Sequence, residues 1–65
     1  MKEYGKALRD ILDKHGCYFV RHGKGDHDIW YSPIMKRNIT VNGKIYIRYA
    51  ANGVLKQAGI KERFR

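Results

Sequence analysis

The sequence predicts a small α+β domain with the element order α-β-β-β-α, in which a three-stranded antiparallel sheet carries both helices on one face. Three observations lead to this prediction. The chain has 65 residues, which is enough for one domain with a small core. Apolar residues follow a helical period near each end of the chain. Between these ends lie three short β-prone runs separated by turns. Residues 1–65 are therefore expected to form a single domain.

The first helix is predicted by an apolar stripe with the spacing i, i+3, i+4, i+7 and i+8, which lies on one face of a helix. The stripe consists of Tyr4, Ala7, Leu8, Ile11 and Leu12. Gly16 is expected to end this helix, because glycine readily adopts the left-handed conformation of a helix C-terminus. No Ser, Thr, Asp or Asn precedes the stripe, so the start of the helix is not marked by a usual capping residue.

Three strands are predicted at residues 17–22, 28–32 and 39–41, where β-branched and aromatic residues accumulate. A turn containing Gly23 and Gly25 separates the first two, and Pro33 ends the second, because proline cannot donate to a β-ladder. Residues 44–47 have two interpretations. They form a fourth strand after an Asn42-Gly43 hairpin turn, or an extended connection to the last helix.

The last helix is predicted from a second stripe with helical spacing. Its members are Ala51, Val54, Leu55 and Ala58. Gly59 stands at the position of a left-handed cap, and Ile60 is placed for the apolar contact that accompanies such a cap. Residues 61–65 form a charged tail that is expected to fray.

The charge of the chain is strongly unbalanced. Fourteen Lys and Arg residues face six Asp and Glu residues, a formal net charge of +8. This favours a polyanionic partner such as nucleic acid, an anionic membrane or an acidic protein, although a merely soluble cationic surface is the alternative. No run reaches the length of a membrane span and no signal peptide is visible. The single cysteine, Cys17, excludes an internal disulfide. We therefore expect a cytoplasmic protein.

The turn between the first two predicted strands contains the candidate catalytic group, His27. A histidine there is able to transfer a proton near neutral pH, although a lone histidine in a polar turn is more often simply solvated. Arg21 and Lys24 are close enough in sequence to neutralise a phosphate. Asp26 or Asp28 is a candidate to orient the imidazole, but strand alternation places Asp28 on the face opposite His27.

RNA cleavage fits this set of groups, because a 2′-hydroxyl that attacks its own phosphate needs a base, an acid and cations but no metal ion. His27 fits the first role, while His22, Tyr31 and water remain open as the second proton carrier. The spacing of the histidines and aspartates around the turn matches no zinc pattern, so neither a metal nor another cofactor is predicted. The candidate RNA-binding cations are Arg21, Lys24, Lys36, Arg37, Lys44 and Arg48. Tyr31, Tyr46 and Tyr49 are interleaved with them as possible base-stacking residues.

Several short motifs, in this order and spacing, resemble the HicA toxins of HicA–HicB toxin–antitoxin systems from about residue 4 to residue 60. They are Lys14-His15-Gly16, Val20-Arg21, Gly25-Asp26-His27, Trp30-Tyr31-Ser32-Pro33 and Leu55-Lys56-Gln57-Ala58-Gly59-Ile60. The resemblance implies a fold like that of double-stranded-RNA-binding domains and a ribosome-independent endoribonuclease that cleaves mRNA. It also implies that His27 is the single catalytic histidine, although many family members have Ser or Thr where Asp26 stands.

The resemblance further implies a HicB-type antitoxin that neutralises the toxin. We expect a monomer when the chain is free and a hetero-oligomer with the antitoxin. The alternative is a non-catalytic RNA- or DNA-binding module of the same fold, since a fold alone does not determine function.

Overall fold

Two helices pack on one face of a three-stranded antiparallel sheet in the computed structural model, which describes residues 2–65. The elements in chain order are α1 (Gly5–Lys14), β1 (Tyr18–His22), β2 (His27–Ser32), β3 (Arg37–Asn42) and α2 (Arg48–Gln57). The strands follow the order β1-β2-β3 and both pairings are antiparallel. The predicted fold class and element order are confirmed, and α2 begins three residues before the predicted stripe.

The core lies between the helices and one face of the sheet. The apolar stripes of both helices meet there with alternate residues of β2 and β3, as expected for a sheet with one buried face. The principal members are Leu8, Leu12, Trp30, Ile39, Val41, Ala51 and Leu55. Ser32 is also fully buried on this side, and its hydroxyl donates to the Ala58 carbonyl at 2.7 Å. This bond ties the end of β2 to the C-terminus of α2.

Both helices end at a glycine in the left-handed conformation, as predicted. Gly16 has φ +87° and Gly59 has φ +79°. Beyond them, the Cys17 amide donates to the Leu12 carbonyl at 2.9 Å, and the Ile60 amide donates to the Leu55 carbonyl at 3.0 Å. These are the long bonds of a Schellman motif, which satisfies carbonyls that the helix itself leaves unpaired.

Glu3 caps α1 and also fixes the segment that leads into α2. Its carboxylate accepts the amides of Gly5 and Ile45, both at 2.7 Å, and these bonds hold the pKa of Glu3 below its usual value. The Tyr4 amide donates to the Ile45 carbonyl at 2.7 Å. Because Ile45 uses its backbone groups in this way, the segment after β3 is an extended connection and forms no fourth strand.

The charged tail is docked, so the expectation that it frays is wrong. The Asn52 side chain bonds both backbone groups of Phe64: its amide donates to the carbonyl at 3.0 Å, and its oxygen accepts the Phe64 amide at 2.7 Å. The Phe64 ring meets the Tyr4 ring edge-on at 5.0 Å. The Glu62 carboxylate pairs with Lys14, the last residue of α1, and with His15, which follows it. These contacts attach the tail to both helices.

Candidate functional site

His27 is the first residue of β2, directly after the turn that joins it to β1. The backbone there is held by two bonds: the Gly23 amide donates to the His27 carbonyl at 2.7 Å, and the His27 amide donates to the Lys24 carbonyl at 3.1 Å. Gly25 turns the chain between them with φ +60°. The imidazole is exposed and has no hydrogen-bond partner among residues 2–65. The site therefore has a fixed backbone and an accessible ring.

The imidazole belongs to the sheet face that the helices leave uncovered, which we call the open face. Directly paired residues of an antiparallel sheet share a face. His27 pairs with Asn42, and along β2 the same face continues to Ile29, paired with Thr40, and Tyr31. The rings of Tyr31 and Tyr18 lie 5.4 Å apart. The open face thus presents a histidine at one end and an aromatic pair at the other.

A β-bulge decides which residues of β1 share this face. Phe19 pairs with Trp30 and Arg21 pairs with Ile29, and the register shifts between them. In a regular strand, residues two apart point to the same side, so Phe19 and Arg21 would share a face. The extra residue of the bulge reverses the alternation. It places Arg21 on the open face with His27 and moves His22 to the helix side.

On the helix side, Asp28 connects β1, β2 and α1. The His22 Nδ1–H donates to Asp28 Oδ1 at 2.9 Å. Arg9 Nη2 donates to Asp28 Oδ2 at 3.4 Å and to the Asn42 carbonyl at 3.1 Å. The bond from His22, and then that from Arg9, hold the pKa of the Asp28 carboxyl below its usual value. Arg9 thereby fixes the backbone that flanks His27 in both β2 and β3.

Asp28 therefore does not orient the His27 imidazole, in agreement with the strand alternation. The alternative orienting residue, Asp26, has no side-chain hydrogen bond to His27. A Cβ atom added at Gly43 would lie 2.8 Å from the Asp26 carbonyl oxygen, so the start of the connection after β3 packs directly on the turn. No carboxylate of residues 2–65 contacts the imidazole of His27.

The six predicted RNA-binding cations do not form one patch. Arg21, on the open face, and Lys24, in the turn, lie at the His27 end of the sheet, and Lys44 follows Asn42 there. Lys36 and Arg37 lie at the opposite end, in the β2–β3 turn and at the start of β3. Lys36 has φ +54°, and the Arg37 guanidinium donates to the Gln57 carbonyl at 3.2 Å.

The sixth cation, Arg48, begins α2 on the helix side of the molecule. Its side chain lines an open concavity together with Asn52, Arg63, Phe64 and Arg65. The tail arginines were missed by sequence reasoning because the tail was expected to fray. Phe64 could have indicated from the sequence that the tail packs on the domain. It is a single aromatic residue in an otherwise charged segment, and burial of such a ring is favourable.

Metal chemistry has no candidate site in the part of the chain that the structure describes. Among residues 2–65, no three His, Cys, Asp or Glu side chains come together as potential ligands. His15 pairs with Glu62 and His22 pairs with Asp28, well apart along the fold. Over the same residues, neither helix has the length and apolar content needed to cross a membrane.

The comparison with protein families agrees with these features. The family model described as the HicA toxin of bacterial toxin–antitoxin systems matches residues 5–60. The chain belongs to the HicA toxin family. The match includes both helices, all three strands and the turn before His27. HicA membership gives the chain a toxin role in a toxin–antitoxin system, and such a system includes an antitoxin partner. Neither a curated protein nor a solved structure shows significant similarity.

Proposed function

We propose that this HicA-family toxin is a ribosome-independent, metal-independent endoribonuclease that cleaves mRNA, with His27 as its catalytic residue. The observation that carries the proposal is the placement of His27: an exposed imidazole on the open face, held by a bonded backbone, next to the cationic residues Arg21 and Lys24. A proton-transfer group must reach its substrate, and an imidazole without a competing protein partner is able to do so.

The chemistry follows from this placement. The His27 imidazole removes the proton of a ribose 2′-hydroxyl, and the resulting alkoxide attacks the adjacent phosphorus. The bond to the 5′-oxygen breaks and leaves a 2′,3′-cyclic phosphate. Arg21 and Lys24 stabilise the negative charge that develops on the phosphate oxygens. Tyr31 lies about 13 Å from His27 along β2, at four residues of strand rise, and His22 is on the other face. Of these three candidates, we assign water as the proton donor to the leaving oxygen. The hydroxide that this leaves takes up the proton held by His27, which restores the neutral imidazole.

The decisive experiment compares His27→Gln with His22→Gln. His27→Gln is expected to lower RNA cleavage by about 10²–10⁴-fold, the usual contribution of a general acid–base group. It should leave the melting temperature close to that of the wild type, because the imidazole is exposed and forms no hydrogen bond or ion pair with another side chain of residues 2–65. His22→Gln should cleave at close to the wild-type rate. Assays in EDTA with RNA and with DNA of the same sequence test the 2′-hydroxyl mechanism, since DNA lacks that group. Undiminished cleavage by His27→Gln would disprove the catalytic assignment of His27. RNA binding without any cleavage by the wild-type chain would instead favour a non-catalytic binding module.

We also propose that a HicB-type antitoxin covers the open face and His27. The proposal is supported by family membership and by the net charge of +8, because acidic groups on a partner would accelerate association with such a surface. Co-expression with the antitoxin should restore growth of cells that produce the toxin, and the two proteins should co-purify. The free toxin should elute as a monomer. A neighbouring antitoxin that leaves RNA cleavage unaffected would contradict this proposal.

A further inference from the structure

The docked tail forms one wall of a groove on the helix side of the molecule. Asn52 holds the backbone of Phe64 by two hydrogen bonds, and the Phe64 ring packs on Tyr4. The position of the flanking residues Arg63 and Arg65 is thereby fixed relative to α2. Both lie outside residues 5–60, the segment that matches the HicA family model. The groove wall is thus built by residues that the family comparison does not describe.

We call this concave surface the tail groove. Its first part has a volume of about 390 Å³ and is lined by Arg48, Asn52, Arg63, Phe64 and Arg65. An adjoining concavity shares Asn52 and Arg63 and continues along α2 past Tyr49, Gly53 and Lys56. The groove therefore follows most of the ten-residue helix, which is about 15 Å long at the usual helical rise.

Within residues 2–65, the three arginines of the tail groove have no anionic partner. Among residues 2–65, the guanidinium groups of Arg48, Arg63 and Arg65 form no ion pair and no side-chain hydrogen bond. The nearest acidic residue in sequence, Glu62, directs its carboxylate to Lys14 and His15. Three guanidinium groups without an ion pair around one concavity favour a positive potential there. An anion entering the groove would relieve that repulsion.

Guanidinium groups favour phosphate as this anion, because their planar donors match phosphate oxygens in bidentate geometry. Tyr49, which is 87% exposed beside Lys56, adds an aromatic surface for an unpaired base. Alternating cations and exposed aromatic rings are typical of single-stranded RNA surfaces. These features favour RNA over an acidic protein as the occupant.

We propose that the tail groove is a second RNA-binding site that holds the phosphate backbone of the substrate on the helix side, away from His27. The choice of RNA as ligand rests on the proposed function. The site contributes affinity without sequence selection, since phosphate contacts carry no base information. The strand then reaches the open face around the end of the molecule where the connection between β3 and α2 begins.

The test measures RNA binding by the full chain carrying His27→Ala, so that the RNA remains intact. A fluorescein-labelled single-stranded RNA of about 20 nucleotides is titrated at several salt concentrations. Arg63→Gln is compared with Lys6→Gln, which removes the same charge from an exposed α1 position paired only with Asp10. The logarithm of the binding constant falls linearly with the logarithm of the salt concentration. Loss of one phosphate contact reduces the magnitude of this slope by about 0.7, which corresponds to about fivefold weaker binding at 0.1 M salt.

We expect Arg63→Gln to weaken RNA binding about fivefold. If the two contacts contribute additively, the double variant with Arg48→Gln and Arg63→Gln should bind RNA about 25-fold more weakly. Lys6→Gln should change affinity less than twofold, and Arg63→Lys should retain most of the affinity. Equal effects of Arg63→Gln and Lys6→Gln would overturn the proposal. So would an Arg63→Gln chain that binds RNA normally but binds the antitoxin weakly, because the groove would then be a protein-docking surface.

These assays distinguish a wrong endoribonuclease assignment from a wrong assignment of the tail groove. Cleavage of a very short RNA by the wild-type chain tests the role of His27 alone, because such an RNA does not reach from the open face to the groove. If the wild-type chain cleaves no RNA, the endoribonuclease assignment is wrong. The titration still decides whether Arg63 binds RNA phosphate.

Discussion

Removing the Asn52 side chain is expected to release the tail. Asn52→Ala deletes the two hydrogen bonds to the Phe64 backbone, at 3.0 and 2.7 Å. Each such bond contributes about 1 kcal/mol net, and alanine recovers about 0.5 kcal/mol through its higher helix propensity. The net loss of about 1.5 kcal/mol lowers the equilibrium constant for tail docking about tenfold.

Hydrogen exchange of the Phe64 amide measures this equilibrium directly, and trypsin cleavage after Lys61 or Arg63 reports it independently. Both rates should rise about tenfold in Asn52→Ala. Gln57→Ala is the matched control, because it removes another side-chain amide from α2 that forms no hydrogen bond. If the Phe64 amide of the wild-type chain already exchanges as fast as in an unfolded peptide, the docked tail itself is refuted.

Two further predictions concern stability and use chemical denaturation as the measurement. Gly59→Ala should lower the free energy of unfolding by about 2–4 kcal/mol, because residue 59 has φ +79° and an added Cβ would lie 2.8 Å from Ile34 Cγ2. Gly53→Ala should instead raise the free energy of unfolding by up to about 1 kcal/mol, because the space around residue 53 is open. Because the pKa of Glu3 is lowered in the folded chain, its carboxylate stabilises the fold. This stabilisation is fully present above the ordinary carboxyl pKa of about 4.3, and it is lost as the pH falls through the lowered pKa of Glu3. Glu3→Gln should therefore flatten the acid side of the stability profile, and an unchanged slope would contradict the role of Glu3.

The helices and the β1–β2 hairpin were predictable because local rules and tertiary packing agree there. The apolar stripe from Tyr4 to Leu12 predicts a helix, and Gly59 predicts a left-handed helix cap. Both are observed. The start of α2 was less predictable, since Ile47 offers no side-chain cap. The segment around Ile45 was ambiguous because its backbone is satisfied by Glu3, a residue 42 positions away. Long-range bonds of this kind leave no local signal in the sequence.

The composition of the open face shows the same limit. Simple alternation placed Asp28 on the face opposite His27, and the strand register confirms this placement. Alternation fails in β1, because a bulge between Phe19 and Arg21 reverses it. A bulge depends on how two strands fit together, so the partnership of His22 with Asp28 emerges only from the paired strands. The tail was mispredicted for a related reason, because Asn52 and Phe64 stabilise it across twelve residues.

The separation between His27 and the helix-side contacts has an evolutionary consequence. The imidazole is exposed and forms no hydrogen bond with residues 2–65, whereas Asp28, the next residue, connects β1, β2 and α1. A gene copy that loses His27 therefore still encodes a folded chain with the same surface charge. If His27 is catalytic and the antitoxin covers the open face as proposed, such a copy would be harmless but would still bind antitoxin. An active copy elsewhere in the genome would then be less restrained. If His27 is catalytic, two neighbouring positions of β2 are under different selection, position 27 for activity and position 28 for the fold.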